Sequence, residues 1–273
     1  MLLRNYLLPL SMLLFVSATS QTIVNGKLKD GVSQKPIFLA NIGIPNRIIG
    51  TLSNDSGEFK IVIPDSLKEE KLKISVIGYE SKEIKISEFG SYKEVFLNPA
   101  PVKLNEVTIV SSKKLKVKTL GNYTQTKLML GGFSSNQLGA EIAVKIECHK
   151  KKMRLNKFAF HIVMNKFEKA LFRFNVYTVG KNGMPDKNIL PENIIIETSI
   201  TNGTVEVDLK PFYITVDEDY FIALEWIKDL GDVKGLFFST KLIGHGTYFR
   251  QASQANWEKI KPLGIGLYVE VEY

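Results

Sequence analysis

Residues 50–61 contain a pattern that few folds can satisfy. After the turn sequence NDSG, Phe59, Ile61 and Ile63 occupy every second position. Alternation with a period of two is typical of a β-strand that buries one face. Gly57 has no Cβ and can adopt the positive φ that a tight turn requires. The segment therefore predicts a strand, a tight turn and a second strand.

Alternating apolar positions recur along most of the chain, and helical periodicity is almost absent. Gly, Asn, Asp and Pro interrupt the alternation at short intervals, which is typical of short strands joined by turns. We therefore predict an all-β protein built from sandwiches. The chain is longer than the ~100–150 residues of a typical domain, which favours two domains.

Residues 21–98 are predicted to form the first domain, with about seven strands. One of these strands is expected over residues 38–44, with the even-numbered side chains on one face. Four motifs of this domain occur in the order of a known family: GKLKD at 26–30, PIFLANI at 36–42, Gly50-Thr51 with Gly57, Phe59 and Pro64, and Leu72 with Ser75, Gly78 and Tyr79.

These motifs resemble the carboxypeptidase regulatory-like domain, in a form similar to that of Bacteroidetes proteins. The resemblance implies a transthyretin-like, seven-stranded β-sandwich over residues 21–98. It also implies a structural or binding module of exported proteins that usually has no chemistry of its own. The family name does not imply peptidase activity for this chain.

The first 20 residues have the composition of a signal peptide. Arg4 supplies a positive charge, residues 7–16 are largely apolar, and ATS at 18–20 is a small-x-small cleavage pattern. A membrane anchor is the alternative, but the apolar run is shorter than the ~20 residues that span a bilayer. We expect cleavage after this pattern, no transmembrane segment in the mature chain, and a location in the periplasm, at the outer-membrane surface or outside the cell. The one cysteine, Cys148, is expected to be buried.

Residues 99–118 are predicted to be a linker, because Pro99 and Pro101 begin an extended segment of polyproline type. Residues 119–273 follow as the second domain, with about nine or ten strands that fit a jelly-roll-like β-sandwich. Within this domain, TNG at 201–203 is a strong turn signal. We expect it to join its two flanking strands as a hairpin.

The stretch LNEVTI at 104–109 looks like the segment that follows this domain in TonB-dependent receptors of the outer membrane. In those receptors it leads into a plug and a long β-barrel, for which residues 119–273 are too short. We therefore expect at most an accessory partner of such a transport system. The other interpretation is that this stretch is the last strand of the first domain and a linker.

The formal net charge is +8, and part of the excess is clustered at 113–118 and in HKKKMR at 149–154. Surfaces that bind nucleic acid combine basic residues with interleaved aromatic residues. These clusters contain no aromatic residue, so nucleic acid is not an expected partner. Solvated lysines in a linker and a turn are one interpretation. Attraction to an anionic cell surface or an acidic glycan is the other.

None of the three histidines, His149, His161 and His245, lies in a zinc-peptidase motif. The chain also lacks a G-x-S-x-G elbow and a Walker-type loop, so we expect no enzyme activity, no catalytic residues and no cofactor. The acidic turn at 217–219 supplies too few oxygens for a calcium ion, and no metal site is assigned. A hydrolase whose polar residues meet only in three dimensions is the alternative.

The candidate ligand-binding residues lie in the turn-rich C-terminal part: Tyr248, Arg250 and Trp257. An exposed Tyr and Trp flanked by Arg could hold a sugar ring or an aromatic-rich partner. The other interpretation is that these aromatic rings pack in the core or at its rim. Trp226 ends an alternating strand and is expected in the core. The sequence thus predicts an exported, non-enzymatic binding or scaffold protein of the cell envelope, with a glycan or an envelope protein as its partner.

Overall fold

A computed structural model describes residues 20–90, 93–100, 115–133, 137–148, 152–229 and 235–273. Regular structure in these ranges is β-strand, apart from three short 3-10 turns at Asp65–Leu67, Ile86–Glu88 and Lys210–Phe212. The all-β prediction is confirmed. Within the same ranges, no helix has the length and apolarity needed to cross a membrane. Residues 1–19 of the predicted signal peptide lie outside the described residues.

In the described part of the first domain there are seven strands: β1 (Gln21–Asp30), β2 (Asn41–Gly43), β3 (Gly50–Leu52), β4 (Glu58–Pro64), β5 (Lys71–Ser75), β6 (Lys82–Lys85) and β7 (Lys93–Leu97). One sheet has the order β4-β1-β7, and the other has the order β3-β2-β5-β6. Apolar side chains from both sheets share one core, among them Val24 and Leu28 of β1 and Ile42 of β2. The predicted seven-stranded sandwich is confirmed.

Strand β4 shows how the alternating pattern defines this core. Phe59, Ile61 and Ile63 are buried, while the residues between them are exposed. Before the strand, Gly57 has a φ of 76°, and the Asn54 side-chain oxygen accepts hydrogen bonds from two backbone amides of the turn. The turn connects β3 in one sheet to β4 in the other, so the predicted strand–turn–strand unit is a crossover between sheets.

The strand predicted over residues 38–44 is shorter than expected. Only Asn41–Gly43 is β-strand, and Phe38 is 45% exposed whereas Ile42 is buried. The reason is Leu39, whose φ of 54° turns the chain before the strand begins. The expected alternation therefore does not extend back to Phe38.

The described residues of the second domain form fifteen strands: β8 (Val117–Gly121), β9 (Leu130–Gly131), β10 (Glu141–Ile146), β11 (Met153–Asn165), β12 (Ala170–Val179), β13 (Pro185–Asn188), β14 (Ile194–Thr198), β15 (Gly203–Asp208), β16 (Thr215–Val216), β17 (Tyr220–Trp226), β18 (Leu236–Lys241), β19 (Thr247–Arg250), β20 (Glu258–Ile260), β21 (Gly264–Ile265) and β22 (Leu267–Glu272). The seven-stranded sheet contains β10, β12, β13, β14, β17, β19 and β20. The remaining strands form the eight-stranded sheet. The count exceeds the predicted nine or ten because several strands are only two to four residues long.

Aromatic side chains from both sheets meet in the core of the second domain. Phe158 of β11 packs on Phe174 of β12 with ring centroids 4.4 Å apart. Phe160 and Phe172 pack edge-to-face, with ring centroids 5.7 Å apart. Trp226 is 2% exposed in this core, which confirms its predicted packing. The second domain is thus a two-sheet sandwich, and its jelly-roll connectivity stays a prediction.

The predicted hairpin around residues 201–203 is wrong. Strand β14 before the turn pairs with β12 in the seven-stranded sheet, whereas β15 after it pairs with β11 in the eight-stranded sheet. The end of β11 holds the turn instead. Asn202 Nδ2 donates to the Val163 carbonyl at 2.6 Å, and Asn165 Nδ2 donates to the Ile200 carbonyl at 3.1 Å. These hydrogen bonds fix the turn at the point where the chain passes from one sheet to the other.

Both ends of the predicted linker, residues 99–118, pair with a domain. Pro99 forms a β-bridge with Tyr79 of the first domain, and β8 pairs with β22 from Val117 onwards. Residues 101–114, which include the stretch similar to TonB-dependent receptors, lie outside the described residues. The buried position expected for Cys148 is confirmed.

Candidate functional site

A group of polar side chains lies where the first domain contacts the outer face of the seven-stranded sheet. We call it the interdomain network: Asn41, Glu141, Arg173, Asn175, Tyr177, Glu225 and Arg250. The alternation along strand β12 explains why its polar side chains lie on this outer face. Phe172, Phe174 and Val176 belong to the core, so the side chains between them point outward. Arg173 and Glu225 are nevertheless 2% and 0% exposed, because the first domain and neighbouring loops cover this face.

Glu225 is the centre of the interdomain network. Arg173 donates to both of its carboxylate oxygens, from Nε to Oε2 at 2.6 Å and from Nη2 to Oε1 at 2.8 Å. Asn41 of the first domain donates to Oε1 at 2.8 Å, and Asn175 donates to Oε2 at 2.8 Å. Burial raises the pKa of Glu225, but the charge and hydrogen bonds of Arg173 outweigh it, and the pKa lies below its ordinary value. The carboxylate is therefore ionised at neutral pH.

Arg173 also links the two domains directly. Its Nη1 donates to the Leu39 carbonyl at 2.6 Å, and its Nη2 donates to the side-chain oxygen of Asn41. Leu39 is the residue whose positive φ precedes the strand, which begins only at Asn41. A left-handed leucine is strained, and here its carbonyl is held by a charged donor of the other domain.

A second contact between the domains is a close approach of backbones. A Cβ added to Gly43 or to Gly50 would overlap the carbonyl oxygen of Ser253. Next to it, Gln254 Nε2 donates to Ser75 Oγ at 2.8 Å. The segment around Ser253 therefore docks on strands β2 and β3 at a distance that only glycine permits.

The structure brings the three predicted ligand-binding residues close together. The Arg250 guanidinium lies 5.1 Å from the ring centre of Trp257, and Tyr177 contacts the same ring at 5.9 Å. Tyr248 is only 3% exposed, because its ring packs edge-to-face on Phe221. The expectation that Tyr248 forms an exposed platform is therefore wrong. A ligand-binding role for the three residues stays a prediction.

Glu141 is the second carboxylate of the interdomain network and is 0% exposed. Burial raises the pKa of Glu141 to about 7, although its ion pair with Arg250 acts in the opposite direction. The Tyr177 hydroxyl donates to Oε1 at 2.9 Å, while Oε2 has no hydrogen-bond partner among the described residues. None of these buried charges was predicted. Their signal in the sequence is a charged residue inside an apolar strand, as in LFRFNV and FIALEW.

An apolar cavity lies at one end of the second sandwich. Its volume is about 320 Å³, and the side chains at its wall include Phe133, Ile142, Phe249 and Ile265. These residues come from both sheets and from the segment after β9. The cavity falls near the lower limit of the ~300–1,000 Å³ found for ligand pockets.

A polar depression lies on the outer face of the eight-stranded sheet. We call it the tyrosine surface: Thr119, Tyr123, Gln125, Lys157, Thr204, Glu206, Tyr268 and Glu270. Its volume is about 390 Å³. Tyr123 is 59% exposed, whereas Tyr268 beneath it is 8% exposed. The tyrosine surface contains none of the residues predicted to bind a ligand.

Other polar side chains have structural partners. The His161 ring is hydrogen-bonded to the Thr204 hydroxyl at 2.9 Å. Asp219 of the acidic turn accepts a hydrogen bond from the Cys148 amide at 3.0 Å and pairs with Lys145 at 2.9 Å. In the part of the chain that the structure describes, no group of three or more His, Cys, Asp or Glu side chains could hold a metal ion.

Residues 24–109 match the family model described as the CarboxypepD_reg-like domain. The first domain is a carboxypeptidase regulatory-like domain. This confirms the resemblance to that domain family and the transthyretin-like form of the first sandwich, whereas the Bacteroidetes type stays a prediction. The regulatory-like domain is a β-sandwich of the binding or scaffold type, and the match extends beyond the predicted boundary at residue 98.

Other comparisons add little. No curated protein sequence matches the chain. A solved structure of the cysteine protease and lectin-like domains of Cwp84, a surface-layer-associated protein of Clostridium difficile, is similar at a TM-score of 0.35 and 8% identity over 49% of this chain. The VP2 subviral particle of infectious bursal disease virus is similar at a TM-score of 0.26 and 10% identity over 92% of this chain. The chain spans 32% and 63% of these two structures. Such low scores support no inference of a shared function.

Proposed function

We propose that this protein is exported and acts in the cell envelope as a non-enzymatic binding protein that holds a glycan or an envelope protein. In this proposal the second domain carries the ligand, and the regulatory-like domain is a scaffold fixed against it. The signal-peptide composition of residues 1–20 supports export. The location would be the periplasm, the outer-membrane surface or the medium.

The interdomain network is the observation that carries this proposal. Arg173–Glu225 and Arg250–Glu141 are two buried ion pairs, and Asn41 joins the first pair from the other domain. Separating the domains would leave these charges without part of their hydrogen bonds, which is costly for buried groups. The network therefore favours one rigid unit in which other faces of the second domain are available to a ligand.

A hydrolase is the second candidate, because the pKa of Glu141 lies at about 7. A general acid or base works best when its pKa is near the operating pH. However, Glu141 is fully buried and paired with Arg250, so a substrate could reach it only after that ion pair opened. The accessory role beside a TonB-dependent transporter rests on residues 104–109 alone, which lie outside the described residues.

A glycan-array screen of residues 21–273, with calcium and with EDTA, tests the proposal. Selective binding without release of hydrolysis products supports a non-enzymatic glycan-binding protein. If no glycan binds, crosslinking in cells should identify an envelope protein, and failure of both experiments would contradict the proposal. Hydrolysis of a bound glycan that is lost in Glu141→Gln would favour the hydrolase.

A further inference from the structure

We propose that the tyrosine surface is a binding site for a neutral glycan. This inference rests on the proposed binding function and gives it a position on the eight-stranded sheet, away from Tyr248, Arg250 and Trp257. It follows from the exposure of one aromatic ring, the polar groups around that ring and the balance of charge.

The first observation is a tyrosine that is exposed yet held in place. The rings of Tyr123 and Tyr268 are 5.0 Å apart and meet edge-to-face at 70°. Tyr268 belongs to β22 and is almost buried, so it provides a fixed support. An exposed aromatic ring is costly in water and loses little conformational freedom on binding. The C–H face of a sugar ring could cover Tyr123 while the phenol stays in contact with water.

The second observation is the set of hydrogen-bonding groups beside this ring. Gln125 Nε2 donates to the Thr204 hydroxyl at 3.3 Å, and Lys157 pairs with Glu206 at 3.1 Å. Glu206 remains 54% exposed at its side chain. An amide, a hydroxyl, an ammonium and carboxylates together offer both donors and acceptors. Sugar hydroxyls, which donate and accept, match such a mixed set.

The third observation is the position of these groups on adjacent strands. Lys157 lies on β11, Glu206 on β15 and Glu270 on β22, and the three strands are paired with one another through β11. Side chains on regular strands are held more precisely than those on loops. These three charged groups are therefore in place before a ligand arrives, as is usual for ligand pockets.

The charge of the tyrosine surface selects the kind of glycan. It contains one cation, Lys157, and two carboxylates, Glu206 and Glu270. The hydrogen bond to Glu206, together with attraction to Glu206 and more weakly to Glu270, raises the pKa of the Lys157 ammonium, which keeps it charged and paired. The local excess of negative charge disfavours an acidic polysaccharide, although the whole chain carries a net charge of +8. A neutral glycan is the ligand that fits.

The test uses the full mature chain and soluble polysaccharides in affinity electrophoresis. A β-glucan and a galactomannan are the neutral probes, and alginate is the acidic probe. We expect a neutral probe to bind and Tyr123→Ala to weaken its binding by about tenfold or more, as for a central aromatic contact. Tyr123→Phe keeps the ring and should bind nearly as well as wild type. Phe96→Ala removes a 38% exposed ring from the first domain and should change nothing.

Four results would overturn the inference. If Tyr123→Ala binds the neutral probe as wild type does, the glycan site lies elsewhere while the proposed binding function stands. If Trp257→Ala loses binding and Tyr123→Ala does not, the glycan site lies at the predicted ligand-binding residues. Preference for alginate would contradict the charge argument. If wild type binds neither neutral probe, the inference fails, and crosslinking in cells then decides the proposed function separately.

Discussion

Replacing Arg173 with methionine should destabilise the protein more than any single exposed substitution. The side chains of Arg173 and Glu225 are 3% and 0% exposed, so water does not screen their ion pair. Without Arg173, the Glu225 carboxylate stays buried with only Asn41 and Asn175 as donors. Removing one partner of a buried ion pair costs about 3–5 kcal/mol in free energy of unfolding, a large part of the ~5–15 kcal/mol of a typical domain.

The chain contains a matched control in the same part of the seven-stranded sheet. Lys169 pairs with Glu197 at 2.8 Å, but the two side chains are 57% and 54% exposed. Exposed ion pairs contribute about 0–1 kcal/mol, so Lys169→Met should change the free energy of unfolding by less than about 1 kcal/mol. Both substitutions remove the cation of one ion pair, but the first pair is buried and the second is exposed.

Urea unfolding followed by circular dichroism measures both variants. We expect a much lower midpoint for Arg173→Met and almost no shift for Lys169→Met. The double variant Arg173→Met, Glu225→Leu should recover part of the loss, because no buried charge is then left alone. If Arg173→Met unfolds at the same urea concentration as Lys169→Met, the buried ion pair of the interdomain network does not stabilise the protein.

Three further predictions concern single groups. The pKa of Glu141 is raised from 4.5 to about 7, so wild type loses stability as the pH rises through this interval, and Glu141→Gln does not. The urea midpoint of Glu141→Gln, measured relative to that of wild type, should therefore be higher at pH 8 than at pH 5. The same difference between the two proteins at both pH values would contradict this. Gly43→Ala should open the domain contact at the Ser253 carbonyl and speed limited proteolysis between the domains, whereas unchanged cleavage would argue against close docking. Hydrogen bonds from the Ser33 amide, the Tyr79 hydroxyl and the Val32 amide lower the pKa of Asp30 from 3.8 to about 2, so its stabilising contribution is present above about pH 4 and is lost as the pH falls towards 2. A carboxyl titration by NMR that gives a pKa near 4 would disprove these contacts.

The first domain could be predicted from sequence because its signals are local. The alternation in β4 and the glycine of the turn before it define one strand and its buried face. The family motifs fix the order of the other strands. The prediction failed at Phe38, next to Leu39, whose φ is positive and whose carbonyl accepts a hydrogen bond from Arg173 in the other domain. A local pattern contains no information about such a partner.

The second domain shows the same limit at the level of topology. The TNG turn at 201–203 has the chemistry of a hairpin, yet Asn165 at the end of β11 holds it as a crossover. Strand pairing depends on contacts between distant residues, which turn chemistry does not record. The tyrosine surface could not be predicted either, because Tyr123 and Tyr268 are far apart in sequence and meet only when β8 and β22 pair.

Hydrogen exchange of the mature protein with and without a saturating neutral glycan would locate the ligand on the second domain. We expect slower exchange at 119–125, 204–206 and 268–270, around the tyrosine surface, and unchanged exchange in the regulatory-like domain. Slower exchange confined to residues 248–257, or no change in the second domain, would contradict it.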